Sequence, residues 1–272
     1  DDSEIICMLL YYSCPELVQL STNNMLRNVS SKQIKFTLIM QLSEYESYCK
    51  KLFDLLYSLN EETRDMTDWE KSKYVYDFIM KRTTYECQVS DSVNAHEGSA
   101  LGPLSVGRAR CQGYANAYQL CMWAVGLECY AVTGVAGEDD TPHAWNITNF
   151  DGDYYLSDVT WDDNDPYSSA YTYFNVSRDE FPLHTEYDFW NELNLPECTK
   201  MDMSFFEVND AYVKANENTQ TEFLRILNSY YPETNIISMK FESESQYNTA
   251  ITNLSTYMNT WARSHGIRFS YR

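Results

Sequence analysis

The chain has 272 residues, and its 40 acidic and 20 basic side chains give a formal net charge of −20. A hydrophobic content of 44% and an aromatic content of 15% argue for a folded protein and against disorder. The acidic charge disfavours binding to nucleic acid and to anionic membrane surfaces, and no apolar run approaches the roughly 20 residues that span a bilayer.

The eight cysteines show no Cys-x-x-Cys spacing, so a zinc ribbon is not expected. We expect mostly reduced, buried thiols, because an even number of cysteines does not make a disulfide framework in a chain of this length. No cofactor and no metal ion are predicted. The acidic, tyrosine-rich composition and the abrupt start at Asp1 favour an extracellular or cell-surface protein whose signal or anchor segment lies outside this sequence.

The first part of the chain is predicted to be mainly helical. Residues 1–20 are typical of a helix followed by a short second piece, and a strand is predicted over 35–42. Ser43 and Glu46 have the spacing of a capping box, which predicts an amphipathic helix that runs to about Leu59.

A second capping box, formed by Thr67 and Glu70, predicts a helix that runs to about Arg82. This helix is expected to be the first element of the core domain. The segment 83–110 that follows is rich in glycine and is predicted to be mostly loop. Such a segment could line a substrate cleft or could be an ordinary surface loop.

Small and apolar residues at helical spacing predict a helix from Cys111 to Val125, which Gly126 would end. Cys111 then lies in the first turn, where unpaired backbone N–H groups and the helix dipole favour a negative charge. This position favours the thiolate, which is the nucleophilic form, and the same N–H groups could stabilise an oxyanion. Taken alone, however, a cysteine at a helix start is more often a small buried hydrophobe.

Asp151-Gly152 is typical of a two-residue type I′ turn between two antiparallel strands. The register set by this turn places His143 opposite Thr160 and puts Asp158 on the same face as the histidine, as its diagonal neighbour. Such neighbours are roughly 7–8 Å apart at the backbone, within reach of an imidazole–carboxylate hydrogen bond. The pattern therefore predicts a catalytic triad with Cys111 as nucleophile, His143 as base and Asp158 as the residue that orients the base.

Other residues near these three have two interpretations each. Trp145 and Trp161 could wall a cleft or could pack in the core. Residues 162–165 resemble a calcium loop with clustered oxygens, but they lack the glycine and distal glutamate of an EF-hand. A turn with a helix cap is therefore the favoured interpretation of that segment.

Three spaced motifs closely resemble the core of the bacterial transglutaminase-like superfamily. They are Cys-Gln-Gly-Tyr-Ala at 111–115, His-Ala-Trp-Asn at 143–146 and Asp-Val-Thr-Trp-Asp-Asp at 158–163. The segments at 98–105, 171–175 and 195–198 resemble the family's flanks, so that the resemblance covers roughly residues 70–200. Leu101 departs from it, because the family pattern has an aromatic residue there, and this leaves the details of the substrate groove open.

The resemblance implies a papain-like cysteine fold in which Cys111 is the nucleophile, His143 the base and Asp158 its orienting partner. The family includes proteases, amidases, cross-linking transamidases, peptide deglycosylases and inactive relatives. The resemblance therefore does not fix the substrate.

The C-terminal part shows a different pattern, which predicts a small α/β module without evident chemistry. Strands are predicted at 205–208, 235–241 and 267–271, and helices at 221–230 and 245–264. The predicted domains are a helical N-terminal region at 1–66, a catalytic core at 67–200 and the C-terminal module at 201–272.

Together these patterns predict an α+β fold with a papain-like, transglutaminase-like core, in which the helix that carries the nucleophile packs on an antiparallel sheet. The predicted function is cysteine-dependent acyl transfer at peptide or glutamine/asparagine amide bonds, with a protease or amidase favoured. Two alternatives remain, a protein-crosslinking transglutaminase and a non-catalytic surface-binding module that keeps the fold. The expected partner is a protein or peptide substrate, and the oligomeric state is left open.

Overall fold

The computed structural model describes residues 14–15, 25–28, 30–36, 41–86, 96–164, 171–233 and 237–267. The chain divides into two compact units, Asp1–Met203 and Ser204–Arg272. Most of the predicted helix at 1–20, half of the predicted strand at 35–42 and nearly all of the predicted strand at 267–271 lie outside the described residues. Within the described ranges, no helix has both the length and the apolar character needed to cross a bilayer.

The first described elements are a short hairpin and a long helix. Strand β1, Met25–Asn28, pairs antiparallel with strand β2, Gln33–Phe36. Helix α1 spans Leu42–Glu62. The backbone N–H of Gln41 donates to the Glu44 carboxylate over 3.1 Å, so Gln41 and Glu44 form the capping box. The predicted capping box of Ser43 and Glu46 is therefore wrong by two residues. The backbone of Gln41 is extended, as the N-cap position requires, so the helix begins at the next residue, Leu42.

The second capping box is confirmed at the start of helix α2, Asp68–Arg82. The backbone N–H of Glu70 donates to the Thr67 hydroxyl, and the Thr67 N–H donates to the Glu70 carboxylate over 2.8 Å. The buried face of this helix includes Val75, Tyr76 and Ile79. Helix α2 is therefore a core element, as its apolar spacing predicts.

Two short strands tie together the ends of the segment that precedes the cysteine. Strand β3, Thr84–Tyr85, pairs parallel with strand β4, Arg108–Ala109. Between them lies a π-helical turn at Gly102–Val106, which ends at Gly107 with a φ of 81°. The loop-rich segment is thus anchored directly before Cys111.

Helix α3 spans Cys111–Ala124, and Gly126 follows it with a φ of 85°. Most of the helix is buried, because its residues are apolar or small on nearly every side. The predicted helix, its start at the cysteine and its glycine stop are confirmed.

Helix α3 packs on one face of a four-stranded antiparallel sheet. The strands are β5, Glu128–Ala136; β6, Thr141–Phe150; β7, Asp153–Ser157; and β8, His184–Glu186. Their order is β7-β6-β5-β8. Ala115 of the helix packs with Ala131 and Ala144 of the sheet, and these small side chains let the helix approach closely. The predicted α+β architecture, a cysteine-bearing helix on an antiparallel sheet, is confirmed.

The hairpin of β6 and β7 has the predicted turn and register. Phe150 pairs with Asp153, and the two turn residues Asp151 and Gly152 have φ values of 54° and 92°. Positive φ at both positions identifies a type I′ turn, which suits the right-handed twist of the strands.

The predicted pairing of His143 with Thr160 does not form, because β7 ends at Ser157. Helix α4, Val159–Asn164, begins instead, since one carboxylate oxygen of Asp158 accepts the backbone N–H groups of Thr160 and Trp161. Asp158 thus acts as a helix cap, and this local hydrogen bonding outweighs continuation of the strand.

The opposite face of the sheet carries the larger hydrophobic cluster. Its buried members are Val132, Trp145, Ile147, Leu156, Val176, Phe181, Trp190 and Cys198. Trp190 lies on helix α5, Asp188–Glu192, while Val176 and Phe181 lie on either side of a 3₁₀ turn at Arg178–Glu180. Helix α3 thus covers one face of the sheet, and this hydrophobic cluster covers the other.

The second unit is a small α/β module, as predicted. Its elements are helix α6, Phe205–Val208; strand β9, Tyr212–Val213; helix α7, Thr219–Tyr230; strand β10, Lys240–Phe241; and helix α8, Glu244–Ser264. Strands β9 and β10 pair parallel around α7. The predicted strand at 205–208 is wrong, because Ser204 caps this segment by accepting the N–H of Glu207 and so starts a helical turn.

Candidate active site

The three predicted site residues come from three different elements. Cys111 is the first residue of α3, His143 lies on β6, and Asp158 joins β7 to α4. Cys111 and His143 line the same cleft, and the ring of His143 contacts the carboxylate of Asp158. Folding therefore brings together residues that lie up to 47 positions apart, from Cys111 to Asp158.

His143 and Asp158 form a short, buried hydrogen bond. His143 Nε2 lies 2.7 Å from Asp158 Oδ2, and the side chains are 8% and 0% exposed. Burial disfavours the charged imidazole, but the Asp158 carboxylate and the Cys111 thiol outweigh it and raise the pKa of His143 to about 10. Because Nε2 is engaged by the carboxylate, Nδ1 is the nitrogen that remains for the thiol.

The Asp158 carboxylate accepts four hydrogen bonds. Oδ2 is 2.7 Å from His143 Nε2 and 3.1 Å from His184 Nε2, while Oδ1 accepts the N–H groups of Thr160 and Trp161 at 2.9 and 3.1 Å. Burial favours the neutral carboxyl, but His143 and then His184 outweigh it and hold the pKa of Asp158 well below its usual range. The geometry therefore keeps this buried carboxylate ionised.

His184 is a site residue that the sequence analysis missed. It opens β8 opposite Ala136 of β5, and its other nitrogen, Nδ1, lies 2.9 Å from the carbonyl oxygen of Pro182. No local pattern around His184 indicates a function. Only the pairing of β8 with β5 brings this ring to Asp158, and that pairing joins parts of the chain 48 residues apart, from Ala136 to His184.

The two tryptophans near the site differ in their surroundings. Trp145 is 1% exposed and belongs to the hydrophobic cluster on the sheet, which favours the core interpretation for that residue. Trp161 is partly exposed, and its ring centre lies 5.7 Å from that of His143 and 4.3 Å from that of His184. Trp161 thus shields both imidazoles from solvent on one side.

Asp162 holds helix α4 against helix α2 and the segment at 172–173 through hydrogen bonds. Its carboxylate accepts the Tyr76 hydroxyl at 2.7 Å and the backbone N–H groups of Thr172 and Tyr173 at 3.0 and 3.1 Å. Burial raises the pKa of Asp162 to about 7, although these donors act in the opposite direction. Asp162 lies inside helix α4, which Asp158 caps, so the favoured interpretation of 162–165 as a turn with a helix cap is wrong for residues 162–164; Asp165 lies outside the described residues.

His143, Asp158 and His184 also have ligand atoms within 4.8 Å of one another, a spacing that could hold a metal ion. The hydrogen bonds of 2.7 and 3.1 Å already engage the atoms concerned. Hydrogen bonding therefore accounts for this cluster.

The loop before α3 clamps the start of the helix. The backbone N–H of Arg110 donates to the Glu97 carbonyl oxygen over 2.9 Å. That oxygen would lie 2.2 Å from a Cβ atom at position 113, so the close approach requires Gly113. The side-chain amide of Asn116 donates to the carbonyl oxygen of Gly98. The glycine of the cysteine motif thus permits the packing that fixes Cys111.

The cleft beside Cys111 has a volume of about 370 Å³. It is lined by Tyr85, Arg110, Cys111, Gln112, Thr133, Pro142, His143 and Tyr187. Among these lining residues, Arg110 carries the permanent charge and none is a carboxylate. Arg110 is partly exposed, and within the described ranges its buried Nε has no hydrogen-bond partner. The described residues that line the cleft thus carry a positive charge, although the protein as a whole is acidic.

The cysteines in the described ranges are all free, as expected. They are Cys14, Cys49, Cys111, Cys121, Cys129 and Cys198. Cys111 is only partly buried, whereas Cys121, Cys129 and Cys198 are buried. The cysteine in the cleft is therefore more accessible than these three.

Comparisons with known proteins match part of this chain to one superfamily. Residues 57–183 match the family model Transglut_core, described as Transglutaminase-like superfamily. Kyphoscoliosis peptidase of Mus musculus is 22% identical over 201 residues, which cover 62% of this chain and 30% of that protein. Kyphoscoliosis peptidase of Homo sapiens is 23% identical over 120 residues, which cover 40% of this chain and 18% of that protein.

A crystal structure of a TGase is also similar, with 15% identity and a TM-score of 0.39. The match covers 77% of this chain and 47% of that one. The chain thus spans less than a third of the length of these two curated relatives and about half of this solved structure.

Proposed function

We propose, from the transglutaminase-like superfamily domain at residues 57–183, that this protein is a cysteine-dependent hydrolase of peptide or glutamine/asparagine amide bonds. The observation that carries the proposal is the pairing of His143 with Asp158 over 2.7 Å in the cleft that also exposes Cys111. A nucleophile, a base and a buried group that orients the base are the parts that acyl transfer needs.

In the proposed mechanism, the Cys111 thiol gives its proton to His143, and the thiolate attacks the substrate carbonyl carbon. The backbone N–H groups in the first turn of α3 stabilise the oxyanion. His143 then returns the proton to the leaving amine as the C–N bond breaks, which leaves a thioester on Cys111. In the second half, His143 takes a proton from water, hydroxide attacks the thioester, and the thiol is regenerated with release of the acid.

The charge of the cleft favours water over a lysine side chain as the acyl acceptor. Arg110 lies beside Cys111, and no carboxylate is among the cleft-lining residues in the part of the chain that the structure describes. An incoming lysine ammonium would meet this cation without an opposing charge, whereas water is neutral. The same charge favours substrates that carry a carboxylate near the bond to be cleaved.

The first prediction is that a glutamine-containing peptide releases ammonia, or is cleaved, without any added amine. Hydrolysis needs water alone, so the rate should be nearly the same with and without a lysine analogue at millimolar concentration. Ammonia release and peptide mass spectrometry measure both reactions, with Cys111→Ala as the blank. Ammonia release that occurs only with added amine would instead identify an obligate transamidase.

The second prediction concerns Arg110 and uses two alkylating reagents that differ in charge. Iodoacetate is an anion and iodoacetamide is neutral, so their relative rates at Cys111 report the local charge. We expect Arg110→Met to lower the iodoacetate-to-iodoacetamide rate ratio at Cys111 by about 5-fold, since a unit charge in a partly solvated cleft contributes about 1 kcal/mol. Arg64→Met, which removes an exposed arginine just after α1, is the matched control and should leave the ratio unchanged. An unchanged ratio in Arg110→Met would remove the charge argument for hydrolysis and for acidic substrates.

A further inference from the structure

We propose that His184 is a positioning residue that donates two hydrogen bonds, one to Pro182 and one to Asp158, and thereby offsets the charge with which Asp158 acts on His143. This inference rests on the proposed function for its catalytic consequence. Its structural part, the hydrogen on both ring nitrogens, does not depend on any activity.

The hydrogen bonds of His184 set its protons. Nδ1 lies 2.9 Å from the Pro182 carbonyl oxygen, which can only accept a hydrogen bond, so Nδ1 carries a hydrogen. Nε2 lies 3.1 Å from Asp158 Oδ2, and an ionised carboxylate also only accepts. A ring that donates from both nitrogens is an imidazolium. His184 and Asp158 thus form a buried ion pair beside His143.

The ring of His184 is held tightly in this orientation. Its side chain is 0% exposed, and its centre lies 3.9 Å from the ring of Phe181, 4.3 Å from that of Trp161 and 5.1 Å from that of Trp145. Pairing of β8 with β5 fixes its backbone. Because aromatic rings surround it, the ring has little freedom to turn, and both hydrogen bonds persist together.

Two imidazoles share one oxygen of Asp158. His143 Nε2 and His184 Nε2 both contact Oδ2, and their ring centres are 5.8 Å apart. Within the described ranges, the titratable groups that face His184 are Asp158, His143 and the Tyr173 ring at 5.8 Å. The positive charge of His184 therefore opposes protonation of His143, while Asp158 favours it.

This opposition matters in the second half of the proposed reaction. Once the acyl group is on Cys111, His143 must lose its proton to activate water. With Asp158 as its sole charged partner, His143 would hold that proton to a higher pH. His184 is thus expected to lower the pH at which His143 can act as the base once Cys111 is acylated.

The test combines a spectrum of the unmodified protein with a pH profile. The ¹⁵N NMR spectrum of histidine-labelled protein should show both His184 nitrogens protonated between pH 6 and 8. His184→Gln keeps a neutral donor to Asp158, and it should move the acid limb of kcat upward by about one pH unit. His265→Gln, which changes an exposed histidine after α8, is the matched control and should leave the profile in place.

The outcomes separate the two proposals. A bare nitrogen on His184 in the spectrum, or an unchanged profile in a folded His184→Gln variant, overturns the inference. If His184→Gln does not fold, the spectrum of the unmodified protein still decides. A protein that shows both protons but no turnover on any peptide contradicts the proposed function and leaves the ion pair intact.

Discussion

Asp158→Asn is expected to lower kcat/KM by about 10³- to 10⁴-fold, the magnitude typical of losing the carboxylate of a triad. The carboxylate accepts hydrogen bonds from the rings of His143 and His184 and from the backbone N–H groups of Thr160 and Trp161. An asparagine side chain has only one oxygen, so its NH₂ group would face either the two imidazole rings or the two backbone N–H groups. These groups are donors and cannot accept its hydrogens. His143 then loses both its orienting partner and the charge that stabilises its protonated form.

The same substitution should also destabilise the fold, because the partners of Asp158 are left buried and unpaired. A cost of about 3–5 kcal/mol in the free energy of unfolding is typical of removing one member of a buried ion pair. Asp158 has a folded-state pKa below its unfolded value of about 4, so its contribution is present above that pH and is lost as the pH falls. The Asp158→Asn variant should therefore lose less stability than the unmodified protein when the pH falls.

Urea unfolding at pH 7 and pH 3 measures the effect on stability. Peptide hydrolysis in buffer without urea measures the effect on kcat/KM. Asp179→Asn, a change to an exposed aspartate in the 3₁₀ turn, is the control and should alter neither stability nor rate. If folded Asp158→Asn protein kept more than about a tenth of the activity, Asp158 would not be the group that orients His143.

The parts of the fold around the cleft that the sequence predicts correctly are those with strong local signals. Gly126 follows the helix with positive φ, and Asp151 and Gly152 form the turn that sets the register of β6 and β7. These residues have conformational preferences that hold in many surroundings. They were enough to place His143 near Asp158.

The errors arise where two local interactions compete. Asp158 could continue a strand or cap a helix, and its bonds to the N–H groups of Thr160 and Trp161 decide for the helix. At residues 205–208, an apolar run typical of a strand follows Ser204, and the hydroxyl of Ser204 caps a helical turn instead. Residue pattern alone does not reveal which hydrogen bond wins in such cases.

His184 shows a second limit, because its role depends on tertiary structure alone. The ring reaches Asp158 only after β8 pairs with β5 and after the Pro182 carbonyl oxygen fixes Nδ1. A lone histidine at the start of a three-residue strand carries no periodic signal. Long-range pairing of this kind is the part of a site that sequence patterns do not specify.

Cys111 is expected to be alkylated far faster than the other cysteines below pH 7, and Cys111→Ala is expected to lower turnover by about 10⁵- to 10⁶-fold. The pKa of His143, at about 10, keeps the imidazole protonated through neutral pH, where it can pair with a Cys111 thiolate in the cleft. Burial raises the pKa of Cys121 to about 12 and that of Cys198 to about 11, so these two remain thiols. The contrast should be large because only a thiolate reacts rapidly.

The pH dependence follows from the direction of the His143 shift. The folded-state pKa lies above the unfolded value of about 6.5, so the stabilising ion pairs of His143 are fully present below that pH and are lost as the pH rises through about 10. The selectivity for Cys111 should accordingly be greatest from acid to neutral pH and should fade as His143 loses its proton. Exposed thiols ionise in that alkaline range and approach the same reactivity.

Peptide mass spectrometry after timed alkylation measures each cysteine separately, and His143→Ala supplies the decisive comparison. That variant should slow alkylation of Cys111 below pH 7 and leave Cys49, a partly buried cysteine on α1, unchanged. A slow Cys111 that is indifferent to His143→Ala would mean that the two side chains do not form an ion pair. A site without a thiolate cannot form the thioester that hydrolysis requires. The partly exposed cysteine, the short hydrogen bond of His143 to Asp158 and Arg110 in the cleft would then favour a binding module.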